Sequence, residues 1–167
     1  MSDQAEIVPL HAVPDTEPGD LPAPLRLLPL PTHDRVGVLL VAHSRAVAEA
    51  VAVMAVGLLG GEDPAPVGAV GGPREGVPGV RATAVVAGAR RVDQGVGVAV
   101  LCDLGSSVRI VRELLDRAEE LGLPFPLRVC DAPLVEGAVA AVATATAGGD
   151  LAAVVEAAED AYRVRKL

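Results

Sequence analysis

Aromatic residues are almost missing from this sequence. Phe125 and Tyr162 are the only two in 167 residues, and there is no tryptophan. Without aromatic faces there is no platform on which single-stranded nucleic acid could stack. The core must instead be built from Val, Leu, Ala and Ile. Positive charge is scarce as well: 14 Lys and Arg against 22 Asp and Glu leave a formal net charge of −8. That balance repels a phosphate backbone, so nucleic acid is not an expected partner. The two cysteines, Cys102 and Cys130, are too few for a disulfide framework and fit a reducing cytosol. No basic start leads into a long apolar run, so no signal peptide is read. The charge-free run at residues 50–61 is 12 residues long, short of the roughly 18 needed to span a bilayer. A soluble, cytoplasmic protein without membrane contact is expected. There is no glycine-rich P-loop with its lysine, and no pair of ligands with metal-binding spacing. Neither a nucleotide, a metal nor another cofactor is implied. What the chain does have is apolar bulk: 51% of it is hydrophobic, enough for one well-filled domain.

The sequence divides near residue 35. Residues 1–35 hold seven of the 14 prolines and six acids against Arg26 and Arg35. Proline removes a backbone donor and pushes its predecessor toward extended geometry, so neither helical nor strand periodicity survives. A disordered, polyproline-leaning tail is expected over 1–35, and a folded domain over 36–167. A proline-rich docking segment, or a start codon set too far upstream, would look the same.

In the domain, apolar runs alternate with helical patterns. Strands are expected at 36–41 (VGVLLV), 66–71, 96–101 (VGVAVL) and 127–130. Helices are expected at 44–59, 80–91, 106–121, 133–147 and 150–165, with a Gly/Pro loop at 72–79. The clearest is 106–121, where Val108, Val111, Leu114, Leu115, Ala118 and Leu121 recur at three- and four-residue spacing. The order βαβαβαβαα, with strands apolar on both faces, predicts an α/β fold. Its sheet should be open and mainly parallel, with helices on both faces.

Ligands of such sheets bind beyond the carboxyl ends of the strands. Three segments place polar groups there: His43 and Ser44; Asp103 with Gly105, Ser106 and Ser107; and Asp131 through Glu136. A carboxylate meeting one ring nitrogen of a histidine would fix its tautomer and free the other as a nucleophile. Gly105, Ser106 and Ser107 open a helix whose N–H groups and positive dipole end suit phosphate. Together these residues suggest a phosphohistidine site. Each has a plainer reading too: a structural histidine, Asp103 bonding its own turn, Ser106 as a helix cap, and Cys102 as a buried thiol. His11 and His33 fall in the tail without partners.

The segments VGVLLVAHSRAVAEAV (36–51), CDLGSSV (102–108) and CDAPLVEGAVAA (130–141) resemble the DhaM family. These are the phosphotransfer subunits of phosphotransferase-system-dependent dihydroxyacetone kinases, whose phosphoacceptor domain is of the mannose-type enzyme IIA kind. The resemblance covers about residues 36–165. It implies that His43 accepts phosphate from the phosphocarrier protein HPr, as a tele-phosphohistidine, and passes it to ADP held on a separate kinase subunit. It implies that Asp103 orients His43, that Ser106 contacts the phosphate, and that the protein is a homodimer. A helix at 44–59 that is apolar nearly all round, interrupted only by Arg45 and Glu49, needs cover from the closing helices or from a second copy. One departure stands out. The family commonly has Gly-Thr-Asp or Gly-Thr-Ser after the second strand, where this sequence reads Gly79, Val80, Arg81. Two further readings therefore stand beside the first: a sugar-transport IIA component with the same histidine chemistry, and a regulatory binding module that has lost transfer.

Overall fold

The computed structural model describes residues 34–61, 63–72 and 79–167. The expected tail up to residue 33, and the expected Gly/Pro loop except for its two ends, lie outside the described residues; Arg35, placed in the tail by the sequence, is instead bonded to Gln94 and Asp63 of the domain.

Among the described residues four strands form one sheet: β1 (Gly37–Ser44), β2 (Val67–Gly72), β3 (Val98–Cys102) and β4 (Leu127–Val129). Their order is β2-β1-β3-β4, and every pairing is parallel. Alternation along the strands divides the core in two. Val38, Leu40, Ala42, Ala99 and Leu101 face one layer, while Leu39, Val41, Val98, Val100 and Cys102 face the other. The first layer is closed by α1 (Arg45–Gly57), α5 (Leu134–Thr146) and α6 (Leu151–Asp160); the second is closed by α2 (Ala82–Val92) and α3 (Gly105–Leu115). The expected α/β architecture, parallel and covered on both faces, is what forms.

Among the described residues the buried side chains are those of Val, Leu and Ala with both cysteines and Ser107, beside five buried glycines; both aromatics are exposed and Ile110 is half-buried. Small alanines on α5 and α6 bring these helices close together and onto the sheet: Ala138, Ala141, Ala145 and Ala158 are fully buried.

Two elements differ from expectation. The single helix at 106–121 breaks into α3 and the one-turn α4 (Ala118–Leu121). Arg117 leaves helical geometry at φ −119°, ψ 23°, and its N–H turns to Leu114 O. The break turns Leu121 and Leu123 onto the second core layer, and Gly122 ends α4 at a positive φ of 57°. The last helix stops at Asp160 and tightens into a 3-10 turn at Ala161–Arg163 rather than running on to 165.

Candidate functional site

β1 lies between β2 and β3, so the chain departs in opposite directions on its two sides. The crevice above β1 and β3 is the switch point at which open parallel sheets collect ligands. His43 stands there. The β1–β2 register slips at this residue: Ala42 pairs Gly71 and Ser44 pairs Gly72, leaving His43 as the extra one. Such a bulge re-aims a side chain at the end of a strand. Bare backbone from β2 makes room for it. A Cβ on Gly72 would lie 2.6 Å from both His43 O and Gly79 O, and one on Gly71 would lie 2.6 Å from Arg45 N. Gly79 then donates its N–H to His43 O at 3.1 Å. Val80 is half-buried against the second core layer. So this stretch braces the histidine through the backbone of Gly79.

Asp103 follows β3, tied by its N–H to Val41 O at 3.0 Å. Its carboxylate gathers donors. Oδ2 accepts the His43 backbone N–H at 2.8 Å. Oδ1 accepts the Leu104 N–H at 2.8 Å and the Ser107 hydroxyl at 2.7 Å. Both oxygens lie 3.1 Å from His43 Nδ1. A carboxylate can only accept, so Nδ1 carries the proton and the lone pair resides on Nε2. Burial pushes the Asp103 carboxyl up, but the His43 N–H, the Ser107 hydroxyl and the His43 ring outweigh it and hold the group below its ordinary value.

On the other side of the ring, Ser106 Oγ is 3.0 Å from Nε2. Ser106 is therefore not the helix cap. Leu104 holds that position, without a side-chain cap bond, and Ser106 is the second residue of α3. Ser107 N–H is used by Leu104 O at 3.0 Å. The N–H groups of Gly105 and Ser106, ahead of it at the start of the helix, have no intrahelical acceptor. Of the three residues expected to hold phosphate, Ser106 places its hydroxyl at Nε2, and Gly105 and Ser106 open the helix with N–H groups free of intrahelical acceptors. The Ser107 hydroxyl sits at Nδ1, 3.2 Å away.

Asp131 and Glu136 share this edge of the sheet but do not bond His43. Tyr162 donates to Asp131 at 3.4 Å, Asp131 N–H donates to Glu159, and Lys166 pairs with Glu136. A cavity of about 270 Å³ lies between Asp103 and Asp131, with Gly105, Arg112 and Tyr162 on its wall. Cys102 and Cys130 are buried free thiols pushed up to about 12, foremost by burial, and are not nucleophiles. Among the described residues no group of His, Cys, Asp and Glu is arranged to hold a metal ion, and no helix is long and apolar enough to cross a membrane. The close approach at glycines 71 and 72 escaped the sequence reading, although a Gly-Gly pair closing a strand is a signal of it.

The EIIA-man family, described as the PTS system fructose IIA component, matches residues 37–155. No curated protein matches. Six solved chains do. One is a crystal structure titled as unknown function protein EF1359, 27% identical over 75% of this chain and 94% of that one, with a TM-score of 0.64.

Proposed function

The chain belongs to the EIIA-man family of phosphotransferase-system IIA components, and from that premise we propose that it is the phosphohistidine relay subunit of a phosphoenolpyruvate-dependent dihydroxyacetone phosphotransferase. The observation that carries the chemistry is the divided imidazole: Nδ1 against Asp103, Nε2 open toward Ser106. Nε2 attacks the phosphorus of the phosphohistidine on HPr. The new N–P bond forms as the donor's N–P bond breaks, its electron pair returning to the donor ring. The charge gained by the His43 ring is balanced by Asp103, while Ser106 and the first N–H groups of α3 receive the phosphoryl oxygens. In the second half of the relay the β-phosphate of ADP, bound on a separate kinase subunit, takes the phosphoryl group. All of this takes place in the cytoplasm. The CDLGSSV and CDAPLVEGAVAA segments favour this acceptor over a sugar. The matched family's description favours the second reading, a sugar-transport component that passes phosphate to a transport subunit. We further propose that the protein works as a homodimer joined through α1.

The test is phosphorylation by enzyme I, HPr and labelled phosphoenolpyruvate. His43→Ala should abolish acid-labile label, whereas His11→Ala and His33→Ala should keep it. Retained label in His43→Ala removes the site assignment. Labelled protein should then convert dihydroxyacetone to its phosphate through the ADP-loaded kinase subunit. Label that passes only to a sugar-transport subunit establishes the second reading instead.

A further inference from the structure

Ser107 is the one polar residue in the buried core of the described chain, at 0% exposure. A serine in the first turn of a helix commonly caps it or bonds a backbone carbonyl one turn back. Ser107 does neither with its hydroxyl. It reaches the side chain four residues earlier, Asp103 Oδ1, at 2.7 Å, and its oxygen lies 3.2 Å from His43 Nδ1. The proton can go only one way. The carboxylate accepts, so the hydroxyl donates to Asp103, and its lone pairs are left facing the Nδ1–H.

This geometry separates Ser107 from its neighbour. Nδ1 and Nε2 lie on opposite sides of the ring, and a phosphoryl group on Nε2 meets Ser106. Ser107 is sealed from that side, and its own N–H is already taken by Leu104 O. Asp103 is clamped by donors of two kinds: the fixed N–H groups of His43 and Leu104, and the Ser107 hydroxyl delivered by α3. Remove the hydroxyl, and Oδ1 keeps the ring N–H it is meant to orient and the N–H of Leu104, which moves with Asp103 itself. The remaining tie from α3 to the carboxylate is gone.

We propose that Ser107 is a positioning residue: it locks the Asp103 carboxylate from helix α3 and, through it, holds His43 in the Nδ1-protonated form whose Nε2 is the nucleophile. The assignment rests on the phosphohistidine reading of the site. It makes the start of α3 double-sided, with Ser106 serving the phosphoryl group and Ser107 serving the carboxylate. The titratable and charged groups around Asp103 are His43 from β1, Cys102 from its own strand, and Arg112, Cys130, Asp131 and Tyr162 around the adjoining cavity. Of these, only His43 bonds the carboxylate, so Ser107 is the removable donor that leaves the ring intact.

The experiment uses the full chain with Ser107→Ala, which deletes one oxygen from a helical position that alanine favours. The Asp103 carboxyl is followed by carbon NMR as pH is lowered, and transfer is measured from phospho-HPr. The Asp103 midpoint should rise by about 0.5 to 1 unit, the size expected for losing one hydrogen bond to the charged form. The transfer rate at saturation should fall about three- to tenfold, with the KM for phospho-HPr unchanged, because a buried hydroxyl cannot touch the carrier. Ser106→Ala should slow transfer without moving the Asp103 midpoint. An unmoved midpoint in Ser107→Ala, or a rise in KM in place of the rate loss, overturns the assignment. If the wild-type chain accepts no phosphate, the proposed function fails, while the Asp103 titration still decides the role of Ser107.

Discussion

Asp103 shows how much of a site can rest on one side chain. It accepts two backbone N–H groups, one hydroxyl and one ring N–H. Asp103→Asn keeps the size of the group but supplies an amide that can point N–H₂ at the ring, favouring the wrong tautomer. Transfer should fall at least roughly 10- to 100-fold, the loss on removing the partner that orients a metal-bound imidazole, with circular dichroism unchanged. A normal transfer rate would show that Nδ1 needs no carboxylate. The same residue should leave a mark on acid stability. Its folded-state pKa lies below 3.8, so its contribution is fully present above 3.8 and is lost as pH falls through the lower, folded value. The stability gap between wild type and Asp103→Asn in urea unfolding should therefore be widest above 3.8 and close below it. His43 and Asp103 were both legible in the sequence, because each follows an apolar run that announces a strand end. The division of labour between Ser106 and Ser107 was not. Adjacent hydroxyls look alike in one dimension, and only the 100° turn of the helix sends one to Nε2 and the other to Asp103.

Elements were legible to the extent that a period or a breaker marked them. All four strands stand within a few residues of their apolar runs. β1 continues past Val41 through the bulge to Ser44, which a run of aliphatics ending at Val41 cannot signal. α2 begins at Ala82 rather than Val80, since Gly79 is spent bonding His43 O and Arg81 takes the N-cap position. The split at Asp116 and Arg117 was hidden because the apolar spacing of 106–121 continues straight across it; tertiary packing of Leu121 and Leu123 decides the break. The end of β2 carries a prediction. A methyl group at Gly72 has no room beside two carbonyl oxygens, and backbone oxygens cannot give way as a flexible side chain does. Gly72→Ala should cost about 1–3 kcal/mol and slow phosphate acceptance by displacing His43. Differential scanning calorimetry with the HPr assay measures both. An unchanged melting temperature would mean that the strand end slides freely.

At the scale of the whole molecule, α1 is the element the fold does not fully cover. Ala48, Val51, Ala52 and Ala55 pack inward, and Val56 is half-buried on the same core. The opposite side presents Ala46, Val47, Ala50, Val53, Met54 and Leu58 to solvent. Val47 is 46% exposed, Val53 48% and Leu58 67%. The helix expected to be apolar nearly all round is so, with Arg45 and Glu49 its only charges, and α5, which does pack on α1, leaves this stripe bare. The spacing 46, 50, 53 is that of a helix seam, and the stripe carries no charge in a chain of net charge −8. A partner of another kind would have to match an uncharged surface of small aliphatics. A second copy matches it by two-fold symmetry, each stripe meeting itself. Val53→Asp then introduces two charges facing each other across the axis. It should shift the protein to monomer in sedimentation velocity at micromolar concentration, with its helix content and His43 phosphorylation retained. Val56→Asp is the contrasting variant: its side chain points into the core, so it should lower the melting temperature whatever the state of association. A wild-type chain that sediments as a monomer at that concentration would leave the α1 stripe without its proposed partner.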